Sequence, residues 1–142
     1  MNEIIYLLDN NIIGRLGRAR LQSEFVSQHC RVTDEVLYEA GPDRRALLDE
    51  IRLPTTGETL NVLKTIMQSI PVGDTSIVDL YRNKGAADPL MVASAIIAER
   101  DSAQLLFGPK WVIATEDSAV RALASVHGIG TVGFAELRSL IS

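Results

Sequence analysis

The chain alternates short, unbroken apolar runs with longer stretches in which apolar residues recur every three or four positions. The first run, "IIYLL" at 4–8, has the length of a strand buried on both faces and stops abruptly on Asp9, Asn10 and Asn11. Ile12, Ile13 and Leu16 then resume at helical spacing, and "CRVTD" at 30–34 predicts a second strand leading into a helix over "EVLYEA" that Gly41 and Pro42 end. Residues 55–70 predict an amphipathic helix, with Thr55 and Glu58 at capping-box spacing and Leu60, Leu63, Ile66, Met67 and Ile70 on one stripe. A shorter helix is predicted over 75–83. Asp88 followed by Pro89 reads as an N-cap with proline at the first helical position, opening a helix to Arg100. "WVIA" at 111–114 predicts a strand, 117–127 a helix stopped by Gly128, 129–132 a last short strand, and 134–141 a closing helix.

Short strands alternating with helices specify a parallel sheet with helices on both faces. At 142 residues and 46% hydrophobic content the chain suits a single domain over 1–142 with a substantial core. No apolar stretch is long enough for a membrane span, and the N-terminus lacks the basic region and cleavage site of a signal peptide, so the expectation is a cytoplasmic protein with no membrane association. Cys30 is the sole cysteine, which excludes an intrachain disulfide and a thiolate zinc cluster. A net charge of -4 argues against bulk electrostatic binding to nucleic acid but is compatible with acids gathered in a metal site.

Acids recur where strands end or helices begin. Asp9 follows the first strand, Glu39 lies on the helix after the second, Asp88 starts a helix, and Asp117 follows "WVIA". The carboxyl ends of parallel strands share one edge, where ligands bind, so the four are placed to converge. Capping accounts equally well for Asp88 and Asp117 taken singly. It does not account for Asp9 at the end of a buried strand, or for Glu39 beyond the capping positions. Clustered carboxylates repel one another unless a cation intervenes, and Mg²⁺ or Mn²⁺ prefer oxygen ligands; such a pocket, without thiols or paired histidines, points to phosphodiester or phosphoryl chemistry.

These blocks resemble a known family. "YLLDNN", "VLYEA", "GAADPLMVASAI" and "VIATEDSAV", in that order over nearly the whole chain, are similar to PIN-domain ribonucleases, most of all the VapC-type toxins of toxin-antitoxin pairs. The resemblance implies a three-layer α/β/α sandwich with a central parallel sheet, dependence on Mg²⁺ or Mn²⁺, endonucleolytic cleavage of RNA, a cognate antitoxin and a homodimer. Carried onto this chain, Asp9, Glu39, Asp88 and Asp117 form the catalytic set. Asp9 and Asp88 are the first metal ligands, Asp117 is the next, and Glu39 holds or orients a water. Asn10 and Thr115 then hydrogen-bond the carboxylates or the scissile phosphate. Glu116 departs from the pattern and is either an extra ligand or a solvent-facing acid, the second favoured because adjacent residues at a helix start point apart.

Arg15 and Arg18, with Arg20, form the densest basic cluster, and they either border the cleft to contact RNA phosphates or form a solvated helix face. Arg44 and Arg45 carry the same two readings. His29 and His127 are lone, and Cys30 is read as core. "GIGTVG" at 128–133 matches a dinucleotide fingerprint by letter but follows a helix, with too little chain left for a βαβ unit, and is read as turn chemistry. Three alternatives stand beside the toxin: a stand-alone PIN nuclease, a non-catalytic binding module, and a phosphoryl-transfer domain of the receiver or haloacid-dehalogenase kind. The last lacks its second early acid, since position 11 is Asn.

Overall fold

The computed structural model describes residues 3–69 and 87–141, with the side chains of Ser69, Ala87 and Asp88 outside that description. The helix expected over 75–83 lies outside it as well. Strands β1 (Ile4–Leu8), β2 (Cys30–Thr33), β3 (Arg52–Leu53), β4 (Lys110–Ala114) and β5 (Gly130–Val132) form one sheet in the order β3-β2-β1-β4-β5, every pair parallel. Helices α1 (Asn10–Leu21), α2 (Glu24–His29), α3 (Asp34–Ala40), α4 (Pro42–Leu48), α5 (Gly57–Ser69), α6 (Ala87–Ser102), α7 (Ser118–Val126) and α8 (Phe134–Leu140) make the connections.

Central β1 explains its unbroken apolar run, because side chains alternate between faces and both faces are covered. Tyr6 and Leu8 pack with Val32, Val112, Ile12, Ile13, Leu16, Val36, Leu37 and Leu137. Leu7 packs on the opposite face with Ile113, Ile66, Met91, Val92, Ala95, Val120 and Ala124. Leu7 and Leu8 are wholly buried, each worth about 1.5–3 kcal/mol relative to exposure. The result is the expected α/β/α sandwich. Among the described residues no helix is long and apolar enough to cross a membrane.

Several local features differ from expectation. Gly41–Pro42 ends α3 but also begins α4: Gly41 turns the chain at φ 91°, a conformation open to glycine, and Pro42 opens the next helix. Strand β3 has only two residues, too few for an alternating pattern. The Thr55/Glu58 box is not used. Instead Thr56 Oγ1 accepts the Thr59 amide at 3.2 Å, the Thr55 hydroxyl donates to Glu35 at 2.7 Å, and Glu58 meets Arg100 at 3.3 Å. Tertiary partners have outcompeted the local cap. Leu60, assigned to the apolar stripe, is 51% exposed.

Cys30 is buried, as expected, and burial pushes its thiol up to about 12 against the opposing charge of Arg31. It is expected to resist thiol reagents at pH 8 until the chain is unfolded, which labelling with and without urea measures.

The first residue of α3 stitches that helix to β3. Asp34 accepts hydrogen bonds from Arg52 and, at 2.9 Å, from the Thr55 amide. Burial alone would raise its carboxyl, but the Arg52 and Thr55 donors outweigh it and hold Asp34 below the usual carboxylate range. A depressed carboxylate contributes stability above its unfolded pKa and loses it as pH falls through the folded value. Asp34→Asn is therefore expected to lower the urea midpoint at pH 7, and the gap from wild type is expected to shrink progressively below about pH 4.

Candidate active site

The strand order reverses between β1 and β4, which opens a crevice at their carboxyl ends. Asp9 sits there. Its amide donates to the Ala114 carbonyl at 3.1 Å, extending the β1–β4 ladder one residue past Leu8 and setting Asp9 beside Thr115. The Thr115 hydroxyl, wholly buried, donates to Asp9 Oδ2 at 2.7 Å and accepts the Asp117 amide at 3.0 Å. Asp9 Oδ1 accepts the Asn10 amide at 2.7 Å. Asp9 is only 6% exposed, and among the described residues no lysine or arginine pairs with its carboxylate.

Asp117 caps α7, its Oδ1 accepting the amides of Ala119 at 2.8 Å and Val120 at 3.2 Å. Arg121, one turn on, donates Nε to the Thr115 carbonyl at 3.1 Å. The structure thus joins Asp9, Asn10, Thr115 and Asp117 in one hydrogen-bonded unit. Glu39 lies exposed in the last turn of α3. Asp88 is not the expected N-cap but the second residue of α6, which already includes Ala87, and its side chain lies outside the described residues. Among the described residues no three of His, Cys, Asp and Glu gather closely enough to hold a metal.

Two features of the unit nevertheless suit a hard divalent cation. The donors are all oxygen, and the side-chain Oδ1 of Asn10, the residue after Asp9, is buried without a hydrogen-bond partner. Burying an uncompensated carboxylate or a lone amide oxygen is costly, and a bound cation relieves both.

The rim departs from expectation at Glu116. Although exposed, it does not simply face solvent: Oε1 accepts the Phe134 amide at 3.0 Å and pairs with Arg15 at 3.3 Å, while the Arg15 guanidinium lies 4.1 Å over the Phe134 ring. An unpaired amide at the start of α8 offers Glu116 a better partner than water. Helix α1 is broken at Gly17 (φ 80°, ψ 165°), and Arg18 is exposed on the segment beyond the break. Of the glycines of "GIGTVG", only Gly128 does the expected turn chemistry, whereas Gly130 opens β5 and Gly133 is extended at the N-cap of α8. Gly128 follows α7 at φ 74°, and a Cβ at Gly133 would lie 2.9 Å from Arg121 and 3.2 Å from Glu116. A cleft of about 850 Å³ between α5 and α6, lined by Glu58, Ile66, Ile96, Arg100 and His127, contains none of the expected site residues among those described.

Among solved structures, a chain from the structure of FitAB bound to the IR36 DNA fragment is similar over 91% of this chain and 94% of its own length, with a TM-score of 0.52 and 13% sequence identity. No protein-family model and no curated protein sequence matches the chain. The likeness is one of fold, and the architecture is PIN-like.

Thr115→Val removes the hydroxyl that serves Asp9 and the Asp117 amide together. It is expected to cost about 1–3 kcal/mol in metal-free urea unfolding, because Asp9 Oδ2 is left buried and unpaired. Asp117→Ala is expected to cost about 1 kcal/mol and Asp117→Asn only a few tenths, since asparagine caps as well as aspartate.

Proposed function

We propose that the chain is an endoribonuclease dependent on Mg²⁺ or Mn²⁺, the toxin of an antitoxin-controlled pair, acting as a homodimer. The observation that carries this reading is the buried Asp9 carboxylate with no cationic partner among the described residues, at the crevice where the strand order reverses. The PIN-like architecture and the four sequence blocks support the same reading.

In this proposal Asp9, Asp88 and Asp117 hold the cation. Asp9 is fixed by Thr115 and the Asn10 amide, and Asp117 by its place at the start of α7. A bound divalent ion supplies a water of lowered pKa and offsets charge on the pentacoordinate phosphate. Glu39 orients the attacking water from α3. Asn10 hydrogen-bonds the carboxylates or the scissile phosphate, and Arg15 on α1, with Arg18 beyond the break at Gly17, contacts backbone phosphates. The Glu116 pair restrains Arg15 without removing its charge. A cognate antitoxin would silence the site by offering a basic side chain to the acids in place of the cation.

Purified protein is expected to cleave RNA with Mg²⁺ or Mn²⁺ and to stop in EDTA, and the metal is expected to raise its melting temperature. Asp9→Asn is expected to lower cleavage by orders of magnitude while leaving the metal-free fold intact, because an amide is a poor ligand for these ions but keeps the hydrogen-bonding shape. Undiminished cleavage in EDTA would falsify the mechanism. Mn²⁺ binding without cleavage of any RNA would favour the binding module instead.

A further inference from the structure

Thr33 ends β2 and occupies the N-cap position of α3, yet its hydroxyl caps no amide. The side chain is 1% exposed and Oγ1 has no hydrogen-bond partner. Leu7 is opposite Arg31 and Leu8 opposite Ala114, so carrying the register forward sets Thr33, Asp9 and Thr115 in one row across three adjacent strand ends. Residues in such a row share a sheet face. Leu53, the register partner of Thr33, packs with Leu7 and Ile113 against Met91, Val92 and Ala95, so the row faces α6, the helix that begins with Ala87 and Asp88.

Thr33 and Asp9 are not bonded directly, since Oγ1 has no partner among the described residues, and strand ends about 4.8 Å apart leave the two within reach of each other through one water. Valine would fill the same β-branched volume without leaving a buried hydroxyl unpaired. Four buried side-chain polar atoms lack partners among the described residues, and two of them, on Asn10 and Thr33, neighbour Asp9 along the chain and across the sheet. That clustering sets Thr33 apart from an incidental packing defect.

Resting on the cation reading above, we propose that Thr33 is a positioning residue of the acidic site, whose hydroxyl accepts a hydrogen bond from a water in the hydration shell of a divalent ion held at Asp9. Mg²⁺ and Mn²⁺ keep several of their waters when protein-bound, and groups that hold the outer shell tune affinity. Thr33 does for the water what Thr115 does for the carboxylate.

The experiment uses the full chain with Thr33→Val and Thr33→Ser, reading the melting temperature in EDTA and Mn²⁺ binding by electron paramagnetic resonance titration. The valine variant is expected to melt at or above wild type in EDTA and to bind Mn²⁺ on the order of 10-fold more weakly, with serine restoring affinity to near wild type. Equal Mn²⁺ affinity in wild type and valine variant overturns the role of Thr33 and leaves the nuclease reading standing. So does a lower melting temperature of the valine variant in EDTA, which would place the partner of the hydroxyl within the metal-free fold. A wild-type protein that binds no Mn²⁺ overturns both.

Discussion

A carboxylate buried at the centre of a parallel sheet is the constraint around which the rest of the molecule is arranged. Asp9 can be there only because β1 lies in the middle of the sheet with helices over both faces, and only because Thr115 and the Asn10 amide meet its oxygens. Thr115 occupies its place because β4 runs in register with β1 to the last residue, and its hydroxyl has hydrogen-bonding capacity left to fix the turn into α7 through the Asp117 amide. One hydroxyl therefore couples the end of β1 to the start of α7. Two hydrogen bonds reduce the desolvation cost of the charge without neutralising it.

The surrounding helices are pinned in ways that bear on the site. Helix α3, which carries Glu39, is tied at its start by Asp34 to Arg52 and the Thr55 amide, and by Glu35 to the Thr55 hydroxyl. At its other end Arg45 donates to the carbonyls of Leu37 and Tyr38 and lies 5.3 Å over the Tyr38 ring. A seven-residue helix has little intrinsic stability, so these tertiary ties set where Glu39 stands. Arg45 thus acts mainly as a helix-end clamp, whereas the sequence left it open between phosphate contact and solvated surface.

What could be read from the sequence follows from the range of the forces involved. The unbroken run 4–8, the alternation of strands with helices and the N-cap at Asp117 are local patterns, and each appears where it was expected. Features set by contacts distant in the chain were hidden. Strand β3 exists because Val32 and Thr33 offer it a ladder, Glu116 is engaged because α8 begins beside it, and Thr55 left its capping box for Glu35, twenty positions away. Thr33 was legible in retrospect. "VTDE" and "ATED" both place a threonine followed by two acids at the end of a strand, Thr33 as the last residue of β2 and Thr115 just past β4, and register carried forward brings those threonines to either side of Asp9.

That repeated pattern also distinguishes the acids by the partners they have. Of the acids following the two threonines, Asp34 is neutralised by Arg52, Glu35 is engaged by the Thr55 hydroxyl, Glu116 pairs with Arg15, and Asp117 spends an oxygen on the first amides of α7. Asp9, the most buried of them, receives only neutral donors among the described residues. Among the described residues, arginine partners go to the partly exposed Asp34 and Glu116 and none goes to the buried Asp9. In the proposed reading, the charge on Asp9 is what a small, hard, hydrated cation would balance.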